Sequence, residues 1–76
     1  MSHSQRFIDQ ARSDYEGTPT HIAFTTDACG EEHVVIRMSS GYYLDWIGAE
    51  LAPEPDEWEG QPTNLKLIFK PIKEAS

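Results

Sequence analysis

The stretch THIAFTTDACGEEHVVIRMSSGYYLDW, from Thr20 to Trp46, decides the fold. Thr20 to Thr26 and His33 to Met38 alternate with the period of two that marks a strand. Reading Ala28-Cys29-Gly30 as a three-residue loop sets Phe24 opposite Val34 and Ile22 opposite Ile36, so the apolar positions share a side. Reading Ser39-Ser40-Gly41 the same way sets Met38 opposite Tyr42, Ile36 opposite Leu44 and Val34 opposite Trp46. A two-residue Ser40-Gly41 turn would instead place Ile36 against Asp45, and a one-residue slip turns a whole strand over. In both loops a glycine falls where the three-residue hairpin needs positive φ.

Upstream, Phe7, Ile8, Ala11 and Tyr15 share one helical stripe. Ser2 with Gln5 fits a capping box, Ser4 is a rival cap, and Gly17 followed by Pro19 supplies the stop. These signals predict one amphipathic helix of roughly 12 residues. Downstream, Tyr42 to Leu51 reads as a strand, although Tyr43, Ile47 and Leu51 are also spaced for a helix. Leu65 to Pro71 alternates again, with Leu65, Leu67 and Phe69 on one face and Lys66, Ile68 and Lys70 on the other. Pro71 marks a strand end or a sheet edge.

The expectation is a single α+β domain over residues 1–76, in the order α-β-β-β-β. An N-terminal helix packs on one face of a four-stranded, mostly antiparallel sheet, and an acidic, proline-rich loop spans 53–63. The helix would cover Ile22, Phe24, Val34, Ile36, Met38, Leu44 and Trp46 together with Leu65, Leu67 and Phe69. The opposite face, with Ala23, Val35, Tyr43, Ile47 and Ile68, would lie uncovered and so be a candidate contact surface. A chain of 76 residues buries only about 60% of its unfolded surface, and such thin cores often gain stability from a partner.

Charge is the other informative feature. Six of the thirteen acids fall between Asp45 and Glu59, and no lysine or arginine lies between Arg37 and Lys66, so the net charge of −7 sits almost wholly in one segment. This balance argues against direct nucleic-acid binding, which needs clustered Lys and Arg. The single cysteine, Cys29, excludes an internal disulfide and suits a reducing compartment. No run approaches the ~18 apolar residues of a membrane span, and Met-Ser-His-Ser-Gln-Arg at the start lacks the apolar core of a signal peptide. The cytoplasm is the expected location.

Catalytic chemistry finds little support. Cys29 has only His33 as a nearby base and no evident third group to orient it. The five glycines are dispersed at turns, with no phosphate-binding loop, and the acidic segment lacks the ligand spacing of an EF-hand. A zinc site would want paired ligands, whereas only Cys29-x₃-His33 occurs, with His21 on the same sheet face. No catalytic residue, cofactor or metal is expected, and no motif identifies a family.

The charge distribution suits a non-enzymatic, protein-binding module that docks on a basic surface of a nucleic-acid-handling protein and blocks it. Small acidic inhibitors of phages and mobile elements, and immunity proteins, work in this way as a class. The expected partner-binding residues are Asp45, Glu50, Glu54, Asp56, Glu57, Trp58 and Glu59, with the indole as anchor and the prolines pre-extending the chain. A second reading is a small homodimeric or adaptor domain using Val35, Tyr43, Ile47 and Ile68. A third is a metal- or ligand-binding accessory domain centred on His21, Cys29 and His33.

Overall fold

A computed structural model describes residues 4–48 and 54–72. One helix, α1 (Ser4–Asp14), precedes five strands: β1 (Pro19–Thr26), β2 (Glu32–Met38), β3 (Tyr42–Ile47), β4 (Asp56–Glu59) and β5 (Lys70–Pro71). The strands form one antiparallel sheet in the order β4-β3-β2-β1-β5. The class is α+β, with five strands in place of the four expected.

The two hairpins adopt the register their apolar pattern demands. Ile22 pairs with Ile36, Phe24 with Val34, Ile36 with Leu44 and Val34 with Trp46. Gly30 and Gly41 close the two loops at φ of 86° and 101°. Each donates its amide to the carbonyl three residues back, Gly30 to Asp27 and Gly41 to Met38. Helix α1 ends as its sequence signals require: Tyr15 N–H donates to the Ala11 carbonyl, and Gly17 takes a φ of 93°. That glycine lets the chain pass close over the β2–β3 turn. The Thr18 amide donates to Ser39 Oγ at 2.8 Å, and Ser40 Oγ–H donates to the Glu16 carbonyl at 3.2 Å.

The main core lies between α1 and one sheet face. Phe7, Ile8 and Ala11 pack on Ile22, Val34, Ile36, Met38, Leu44 and Trp46. Phe7 meets the Trp46 indole edge-to-face with centroids 5.2 Å apart, an arrangement that adds about 0.5–1.5 kcal/mol beyond area burial. Phe24 is the exception among the predicted inner residues of the hairpins, at 55% exposed. Strand β5 is short and pairs only with His21 and Ile22, so among the described residues the part of β1 that holds Phe24 has no strand on its outer side.

Four expectations are corrected. The acidic loop 53–63 is not a loop throughout, because Asp56–Glu59 pairs with β3 as an edge strand, Tyr43 opposite Trp58 and Leu44 opposite Glu57. Strand Leu65–Pro71 shrinks to Lys70–Pro71. Residues 65–69 still alternate between half-buried and exposed, but they have no ladder partner among the described residues. The cause is topological: β4 and β5 occupy opposite edges, so the chain between them must cross the sheet. It crosses the face away from α1, where the Phe69 ring lies tilted against Tyr43 with centroids 5.5 Å apart. Leu65 also lies on this side, in a cavity shared with Asp45 and Ile47. Hence the second face is not uncovered, and its Ala23 and Val35 are buried. The expected strand to Leu51 runs from Tyr42 to Ile47; Ser2, Glu50 and Leu51 lie outside the described residues.

Candidate functional site

Strand β4 carries the charge. All four of its side chains are exposed, and among the described residues it pairs with β3 alone. The pleat divides those side chains. Glu57 and Glu59 point to the α1 side, where Glu57 joins Asp14, Tyr15, Glu54 and Pro55 around a cleft of about 330 Å³. Asp56 and Trp58 point to the other side. Burial, then the charges of Glu54, Glu57 and Asp14, hold the Tyr15 hydroxyl above the usual tyrosine pKa, a sign of a negative local field. Among the described residues none of Glu54, Asp56, Glu57 and Glu59 has a lysine or arginine partner within ion-pair distance.

The opposite side holds a buried polar cluster. His33 and Asp45 are diagonal neighbours on β2 and β3, because His33 pairs with Ile47 and Val35 with Asp45. His33 Nδ1 lies 3.0 and 3.1 Å from the two Asp45 carboxylate oxygens, and His33 Nε2 lies 2.8 Å from Asp27 Oδ2. The other Asp27 oxygen accepts the amides of Cys29 and Glu31 at 2.9 Å each, so the β1–β2 turn fixes this carboxylate in place. Both ring nitrogens face acceptors, and only imidazolium can donate from both. Desolvation opposes the charged ring, but the bonds and charges of Asp27 and Asp45 outweigh it and lift the His33 pKa above its ordinary value. Hydrogen bonding from His33, then from the Glu31 amide, lowers that of Asp27. Burial raises that of Asp45 against the pull of His33, with Asp56 and Asp27 adding repulsion.

These positions revise the candidate residues. Asp45 is apart from the other expected partner-binding residues: it is 3% exposed, is turned onto His33, and opens only into the cavity it lines. Glu54, Asp56, Glu57, Trp58 and Glu59 remain accessible, but on two sides of a strand, and Glu50 lies outside the described residues. Of the adaptor residues, Val35 is fully buried and Tyr43 half-buried, because the crossing segment covers them, while Ile47 and Ile68 stay exposed. The trio His21, Cys29 and His33 is not assembled. His21 sits four residues along β1 from Thr25, the partner of His33, or roughly 13 Å at strand rise. Among the described residues no group of three or more His, Cys, Asp or Glu could hold a metal ion.

Cys29, His33 and Asp45 do line one cavity, of about 310 Å³. Both ring nitrogens of His33 are within hydrogen-bond distance of Asp27 and Asp45 carboxylates, so its contacts are to those groups and not to the Cys29 thiol. Among the described residues no helix is long and apolar enough to cross a membrane. Comparison of the chain with protein families, with curated proteins and with solved structures finds no match.

Proposed function

We propose that this chain is a non-enzymatic protein-binding module that presents the acidic edge strand β4 to a basic surface of another protein. The observation that carries this reading is the state of Asp56–Glu59: exposed along its length and, among the described residues, paired on one side only and without a cationic partner. A strand edge can accept a further strand by backbone hydrogen bonding. Two copies of this edge would bring like charges together, so its acids oppose self-pairing and select a cationic partner. Glu54 and Asp14 extend the negative field on the α1 side of the strand.

Within that reading the partner is a nucleic-acid-handling protein, inhibited by occupation of its phosphate-binding surface, since spaced carboxylates present charge to Lys and Arg much as phosphates do. The test is capture and identification of the bound protein from the native host. Glu54→Gln, Asp56→Asn, Glu57→Gln and Glu59→Gln together serve as the control. The reading expects a basic protein that is released by about 0.5 M salt and is not captured by the quadruple variant. Capture that survives both salt and neutralisation would remove the charge-docking basis.

A further inference from the structure

The cavity beneath Trp58 has a chemistry of its own. It lies on the face away from α1, between β3, β4 and the segment that crosses the sheet, and holds about 310 Å³. That volume falls in the range of small-ligand sites, roughly 300–1,000 Å³. Its walls divide by character. Trp58 supplies an aromatic surface, Ile47, Pro62 and Leu65 supply aliphatic surface, and Asp45 and Asp56 supply carboxylates.

Those two carboxylates stand directly opposite each other in the β3–β4 register. Like charges in that position destabilise a sheet, and no lysine or arginine among the described residues relieves them. His33 is committed to Asp45 and Asp27, so Asp56 is left without a counter-charge among the described residues. A local rule broken beside an open, half-apolar cavity marks a place built for something outside the chain.

We propose that this cavity receives an arginine side chain of the basic partner, an assignment that rests on the protein-binding reading given above. The match is to arginine as a whole. The planar guanidinium stacks on the indole of Trp58 and pairs with Asp56, and the three-methylene stem lies along Ile47 and Leu65. Lysine offers the stem and the charge but no plane to stack. A neutral urea offers the plane without the charge.

The test uses N-acetyl-arginine amide as probe, titrated into the intact protein and followed in a two-dimensional NMR spectrum by the Trp58 indole and the backbone amides of Ile47 and residue 56, the amides alone serving in Trp58→Ala. Saturable binding is expected, weaker by about tenfold in Trp58→Ala and in Asp56→Asn. The citrulline analogue, close in shape and uncharged, is expected not to bind. Both substitutions lie on an exposed edge strand, and chemical shifts elsewhere report whether the fold is kept. No shift of the indole with the arginine probe, or equal binding of the citrulline analogue, overturns the assignment. A triple variant, Glu54→Gln, Glu57→Gln and Glu59→Gln, removes charge outside this cavity, so it separates the two ideas. Retained probe binding with lost partner capture supports both. Lost probe binding in wild type with intact partner capture sinks the cavity assignment alone, and retained probe binding with unchanged capture sinks the edge-strand reading alone.

Discussion

Replacing Asp45 by asparagine keeps the shape of the buried cluster and removes one of the two charges that hold His33. The wild-type contact is short and dry, at 3.0 Å with Asp45 3% exposed. A hydrogen bond to a charged group contributes about 1.5–3 kcal/mol. Relief of the cross-strand repulsion between Asp45 and Asp56 returns roughly 0.2–1 kcal/mol. The net loss is about 1–2 kcal/mol, against a total of roughly 4–11 kcal/mol for a domain of this size. Its pH dependence separates this loss from a general weakening. The His33 pKa is raised in the folded state, so the native protein holds a proton that the unfolded chain releases. That contribution is complete below about pH 6.5 and is lost as pH rises through the higher native value. The raised pKa of Asp45 acts in the same direction at lower pH, and the lowered pKa of Asp27 acts in the opposite one, its contribution fading as acid protonates it. Urea titrations followed by the emission of buried Trp46 are therefore expected to show wild-type stability falling as pH rises above about 6.5, with a shallower fall in Asp45→Asn. Parallel curves for the two proteins across that range would refute the His33–Asp45 account.

Two further outcomes follow from particular contacts. Gly17→Ala is expected to lower stability by more than about 1 kcal/mol in the same titration, because a β-carbon at φ 93° is strained and would stand 3.0 Å from Ser39 Oγ and 3.1 Å from the Ser40 nitrogen. Ile68→Asp, at a residue 79% exposed, is expected to leave the midpoint within about 0.5 kcal/mol of wild type and the sedimentation profile unchanged. A shift in association state on that substitution would favour the adaptor reading.

The hairpin pattern from Thr20 to Trp46 carried the register because turning over β2 or β3 by one residue would bring Arg37 or Asp45 to the apolar side, and Ile22 opposite Ile36 and Val34 opposite Trp46 follow directly. The same register already makes His33 and Asp45 diagonal neighbours on one face, so the buried pair was within reach of the pattern. Asp27 was the hidden third member, since its role depends on a turn that holds one oxygen with two amides and frees the other for the ring. The acidic segment misled for a physical reason. Pro55 and Pro62 flank it and its acids disfavour a central strand, yet an edge strand needs partners on one side only and tolerates both. Alternation over Leu65 to Phe69 recorded a real half-burial, but period two reports which side faces the protein and says nothing of which sheet face lies beneath.

Amide hydrogen exchange on the captured complex examines the edge-strand account without relying on substitutions. Slowed exchange at Asp56–Glu59 relative to the free protein, with the Lys70 amide at the far edge unchanged, is the predicted outcome. Protection confined to the neighbourhood of Phe24 or Ile68, with β4 exchanging as freely as before, would contradict it.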